Sequence, residues 1–117
     1  MDNKTFEKIV DDLTNKVKAT LIKKTDEYNL DEDRLKFFKK GCILLNEEPH
    51  QTLLGYVNKQ IVSEFDMGAS NKIFTEKLWL EKILDIVCYQ YLLYAVLKDT
   101  NKFENDYNWS KTDEPSR

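Results

Sequence analysis

Residues 80–93 read LEKILDIVCYQYLL. Leu, Ile, Val, Cys and Tyr recur there with a period near 3.6 rather than 2, so the segment predicts a helix and not a strand. Between Lys82 and Lys98 the only charged side chain is Asp85. A carboxylate taken out of water is costly unless it gains a cation, a metal or hydrogen-bond donors. The stretch therefore sets both the fold class, all-α, and the first question about function.

Working back from it, Gly68-Ala69-Ser70-Asn71 is a turn cluster, after which Thr75 is placed to cap this fourth and most apolar helix, which ends near Asp99. Pro49 suits the first turn of a third helix running to about Met67, with Leu54, Val57, Ile61 and Phe65 toward the core. Asp31 can cap a second helix whose inner face carries Leu35, Phe38, Cys42 and Leu45. Phe6, Ile9, Val10, Leu13, Val17 and Leu21 recur at helical spacing, so residues 4–25 read as an amphipathic first helix. The expected fold is a compact bundle of four main helices, one domain over residues 1–99. The following NKFENDYNWSKTDEPSR lacks periodicity and reads as a mobile polar tail over 100–117, with Phe103, Tyr107 and Trp109 as its docking side chains.

Composition narrows the class. At 117 residues the chain has room for one modest core. Three Gly and two Pro argue against a many-turned all-β fold. Eighteen basic residues are dispersed among twenty-one acidic ones, without a basic stripe to track a phosphate backbone, so nucleic acid is disfavoured as a partner. Asp85 and Gln90 interrupt the longest apolar run below the roughly 20 residues that span a bilayer. MDNKTFEKIVDD lacks an apolar signal core. The expectation is a soluble cytoplasmic protein without a membrane partner. Cys42 and Cys88 have no CxxC pairing and read as reduced core thiols. His50 is the only histidine, which leaves no material for a His-dependent triad or zinc cluster. No glycine-rich phosphate loop is present.

Glu81, Asp85 and Tyr89 are spaced i, i+4, i+8 and share one stripe of the fourth helix. Lys59, Ser63 and Asp66 form a polar stripe on the third, with Glu64 beside it. If these helices are antiparallel neighbours, the stripes meet. Converging carboxylates repel one another, and a hard divalent cation such as Mg²⁺ relieves them while bridging substrate phosphates. The structural alternative is an ion pair of Asp85 with Lys59 or Arg34, and both readings stand. In KKTDEYNLDEDRLKFFKK, residues 23–40, Glu27 and Tyr28 lie at a helix break, and Arg34 is placed to hold a phosphate. A surface pair of Asp33 with Lys36 is the plain alternative. Tyr89, Tyr91 and Tyr94 suit core or interface positions, with Tyr89 also on the carboxylate stripe.

The order of these signals, Glu27-Tyr28, Asp33-Arg34-Leu35, Phe38, Lys59, Ser63, Asp66-Met67, Glu81-Lys82, Asp85, Tyr89 and Leu92-Leu93, resembles a group of small phage and prophage proteins over roughly residues 20–97. More distantly it is similar to the all-α nucleoside triphosphate pyrophosphohydrolases of the MazG type. That resemblance implies a Mg²⁺ site made by acidic residues of two neighbouring helices. The family pattern is ExxE followed by ExxD, whereas the third helix here offers Glu64 and Asp66 and the fourth offers ExxxD.

Two functional expectations follow. In the first, Asp66, Glu81 and Asp85 hold Mg²⁺, Glu27 or Glu64 completes the shell or orients water, and Arg34, Lys59, Ser63 and Tyr89 bind a nucleotide that is cleaved to monophosphate and pyrophosphate. In the second, a phage accessory protein binds without reaction, sequestering a nucleotide signal or blocking a host protein. Either accommodates a homodimer through the apolar fourth helix or the aromatic tail.

Overall fold

In a computed structural model the described residues are 1–27 and 35–104, the side chains of 24–27, 37 and 38 excepted. They form four helices: α1 (Asn3–Glu27), α2 (Lys36–Leu45), α3 (Pro49–Ala69) and α4 (Glu76–Asp99). No strand occurs among the described residues. No helix among them is long and apolar enough to cross a membrane.

Local chemistry sets the helix ends. The Asp2 carboxylate accepts from the Thr5 backbone N–H at 2.8 Å and starts α1. Asn46 ends α2 with φ 53° and ψ 48°, a left-handed conformation that asparagine tolerates better than most residues. The Glu47 N–H then returns to the Cys42 carbonyl at 2.9 Å. Pro49 occupies the first turn of α3, and the Gln51 side chain accepts from the Glu48 N–H at 2.8 Å. Thr75 caps α4 by accepting from the Leu78 N–H at 3.1 Å. The roles expected of Pro49 and Thr75 are thus the ones they fill. The described α2 begins at Lys36, and Asp31 lies outside the described residues.

The helix backbones pack in the spatial order α2, α3, α4, α1, with α2 against α3, α3 against α4 and α4 against α1. Helices α3 and α4 run antiparallel, with the Tyr56 and Tyr89 ring centroids 6.2 Å apart and Lys82 Nζ 3.4 Å from Gln60 Oε1. Helix α1 runs parallel to α4. Ile9 and Leu13 share a cleft with Trp79, Leu80 and Ile83, while Leu21 packs against the cluster containing Leu92 and Val96.

The core cluster consists of Leu35, Leu53, Leu92 and Val96, flanked by Leu21, Tyr89, Leu93 and Ala95. It lies at the end of the bundle where α4 finishes. Both cysteines are buried, free and part of the interior, as expected. On α3 the inner face differs from the expected one. Leu53 is 0% exposed and Val57 is buried, but Leu54 is 43% and Phe65 74% exposed. The stripe that turns inward is Leu53, Val57 and Met67, about 100° round the helix from Leu54. Cys42 of α2 is buried as expected, Leu45 is exposed, and the side chain of Phe38 lies outside the described set. Of the apolar stripe on α1 only Val17 is fully buried. After α4, Phe103 folds back on Tyr94 with centroids 5.7 Å apart, and Lys102 pairs with Glu48 at 3.5 Å. Tyr107 and Trp109 lie outside the described residues.

Candidate functional site

The two polar stripes lie on neighbouring antiparallel helices, and the pair Lys82–Gln60 gives their register. Asp66 and Glu81 are exposed, whereas Ser63, Glu64 and Asp85 are half-buried.

Mg²⁺ demands oxygens at about 2.0–2.1 Å in near-octahedral array, so its ligands must converge on one point. Asp66, Glu81 and Asp85 do not. Among the described residues no group of three or more His, Cys, Asp or Glu side chains is placed to hold a metal ion. The residues present do not fit the expected shell. The Glu27 side chain and all of Arg34, to which catalytic and phosphate-binding roles were assigned, lie outside the described residues. Lys59 is exposed on α3, away from the seam. Tyr89 is half-buried and packs on the core cluster as well as near Tyr56, the core position that its helical spacing allowed.

What the seam does join is Gln60 of α3 with Lys82 of α4, both half-buried. At 3.4 Å the Lys82–Gln60 hydrogen bond is longer than the 2.7–3.2 Å usual for a nitrogen donor to oxygen, so it fastens the helices weakly. Asp85 makes no hydrogen bond and no ion pair among the described residues. Its partial exposure to water resolves the cost raised by its apolar surroundings in the sequence.

A second constellation was not legible in the sequence. In the first turn of α3, just after the α2–α3 turn, Thr52 is 2% exposed and its hydroxyl donates to Glu47 Oε1 at 2.8 Å. Beside it lies an open cleft of about 440 Å³ lined by Cys42, Ile43, Asn46, Glu47, Glu48 and Gln51. His50 is half-buried at the start of α3, with its Nδ1 unpartnered among the described residues. Lys39 and Asp99, 2.6 Å apart, tie α2 to the end of α4 next to this turn. The only advance signal was Pro49 after Glu47-Glu48. It marks a helix start, but not the exposed apolar residues that precede it.

No family model, no curated protein and no solved structure matches the chain. The functional reading therefore rests on this chain's own side chains.

Proposed function

We propose that the protein acts by binding a partner protein and not by catalysis, using the end of α2 and the turn that follows. The observation that carries this reading is the run Ile43-Leu44-Leu45, in which three consecutive apolar side chains are 76%, 87% and 61% exposed. A single exposed leucine is ordinary; three in a row at the end of one helix, the first of them lining a cleft, leave apolar surface of the kind that contact sites use. Glu47 and Glu48 border it, and both line the cleft. The fitting partner offers an apolar groove with basic side chains along its edge. As an accessory protein it would occupy that groove and block whatever else the groove binds.

The experiment is affinity capture from the cells in which the protein acts, comparing the parent chain with Leu44→Glu. Leu44 contributes almost nothing to the core, so the variant should keep its fold and lose the captured partner. Capture of the same partner in the same yield by Leu44→Glu refutes the reading.

A nucleotide-binding reading, with Mg²⁺ and pyrophosphohydrolysis as its strongest form, is supported by Asp85, a half-buried carboxylate without an ion-pair partner among the described residues. Such a group gains from a bound cation or from a donor on a ligand. On this reading the Gln60, Ser63 and Lys82 side chains supply hydrogen bonds to a nucleotide-derived ligand. Thermal shift with each common nucleotide and Mg²⁺ tests it, since only a ligand that prefers the folded state raises the melting temperature. No shift with any nucleotide, or an equal shift in Asp85→Asn, removes it.

A further inference from the structure

The residues that follow α4 reach the turn between α2 and α3, and their path is set locally. Asn101 turns left-handed at φ 53°, the Lys102 N–H returns to the Leu97 carbonyl at 2.9 Å, and Phe103 lies on Tyr94 with ring centroids 5.7 Å apart. The Lys102 ammonium thereby comes to 3.5 Å from the Glu48 carboxylate. Glu48 lines the cleft that Ile43 also lines, beside the exposed Ile43-Leu44-Leu45 run. We propose that Lys102 is a built-in competitor for the basic side chain of a partner: it occupies the Glu48 carboxylate in the free protein and leaves it when a cation of the partner binds there. This regulation rests on the binding role proposed for the end of α2.

Two features of the pair suit an exchangeable contact and not a structural clamp. The first is its length. A charge-assisted N–H···O bond closes to about 2.7–2.9 Å, and the pair of Lys102 with Glu48, at 3.5 Å, stays open by comparison. The carboxylate therefore keeps acceptor capacity for an ammonium or guanidinium that approaches more closely. Lys39 and Asp99, which tie α2 to the end of α4, are 2.6 Å apart and show the contrast. The second feature is exposure. The Lys102 side chain is 38% exposed and that of Glu48 54%, so either exchanges its partner without leaving a buried charge uncompensated.

Proximity keeps this weak contact occupied. Lys102 is carried on a closed turn and meets Glu48 as an intramolecular neighbour, whereas a competing cation must arrive from solution. The competition has a consequence for selectivity. A ligand that is only basic gains nothing beyond the contact it displaces. A partner that also covers Ile43, Leu44 and Leu45 gains apolar burial in the same event, and that gain drives the exchange. Lys102 thus turns away cations that come without an apolar surface beside them.

The test uses a labelled amphipathic peptide of leucine and lysine, apolar on one helical face and basic along its edges, titrated by fluorescence anisotropy against the full chain. Circular dichroism confirms that each variant stays helical. Lys102→Ala should bind the peptide about two- to fivefold more tightly than the parent, the fold-change set by the loss of one exposed ion pair. Lys98→Ala removes the same charge from an exposed position on the last turn of α4 and should bind like the parent. In a Glu48→Gln background Lys102→Ala should change nothing, because the carboxylate under competition is gone. A Lys102→Ala chain that binds no more tightly than Lys98→Ala overturns the proposal, as does a gain that persists in Glu48→Gln. If Leu44→Glu weakens binding while Lys102→Ala leaves it unchanged, the competition falls and the contact surface stands. A peptide that binds neither the parent nor Lys102→Ala also overturns the competition, and the capture experiment with Leu44→Glu decides the surface separately.

Discussion

Replacing Leu53 with alanine tests the packing of α3 against α4, and its neighbour provides the control. Leu53 is 0% exposed and belongs to the cluster with Leu35, Leu92 and Val96. Leu53→Ala deletes three carbons, worth about 2.4 kcal/mol at about 0.8 kcal/mol per buried methylene. Partial collapse leaves a void, and at about 24 cal/mol per Å³ a residual 40 Å³ adds about 1 kcal/mol. The expected loss is thus about 3–4 kcal/mol, a large share of the roughly 5–15 kcal/mol typical of a whole domain. Leu54 is 43% exposed, makes no comparable cavity, and should cost about 1 kcal/mol or less when truncated. Urea unfolding followed by far-ultraviolet circular dichroism measures both, with an unchanged slope showing that stability alone has moved. If Leu54→Ala costs as much as Leu53→Ala, the inner face of α3 is the one bearing Leu54, and the description of the core fails.

Thr75→Ala removes the hydroxyl that caps α4 and should destabilise by about 1 kcal/mol, whereas Thr75→Asp should retain the cap and lose little. Paired urea curves would show the difference, and equal losses would contradict a capping role. Hydrogen bonds from Thr5 hold the Asp2 carboxyl below its ordinary value of 3.8. A depressed folded-state pKa stabilises above the unfolded value, and that contribution disappears as pH falls through the folded one. Amide exchange at Thr5 should therefore show its protection lost below the usual carboxylate range while α4 amides keep theirs; retained protection there would contradict it. Asp85→Asn, in the absence of any ligand, should shift stability by less than about 0.5 kcal/mol, as at an ordinary surface site. A loss of several kcal/mol would mean that Asp85 is held by a strong partner.

The helices were legible because the signals that make them are local. Period near 3.6, Pro49 after Glu48 and Thr75 before the apolar run act within a turn or two and need no tertiary context. The faces were less so. Leu53, Leu54, Val57, Ile61, Val62 and Phe65 distribute apolar side chains over most of the circumference of α3, so periodicity alone does not choose between Leu53 and Leu54. The choice depends on where α2 and α4 stand, which is a tertiary matter. The candidate site shows the same division. That Glu81, Asp85 and Tyr89 share a stripe follows from helical geometry. Whether that stripe meets Asp66 depends on how α3 is turned and placed against α4, and Asp66 ends exposed while Asp85 is half-buried.

The division between interior and surface bears on mechanism. Leu53, Leu92 and Val96 are buried at one end of the bundle, while Phe6, Ile9 and Val10 of α1 remain exposed toward the other. A chain selected only to fold alone gains by covering those side chains or by replacing them with polar ones, because exposed apolar patches invite association. Exposed apolar residues on α1, at the end of α2 and at Phe65 with Ile73 near the α3–α4 turn belong to different parts of the molecule. A single partner of ordinary size does not reach all of them.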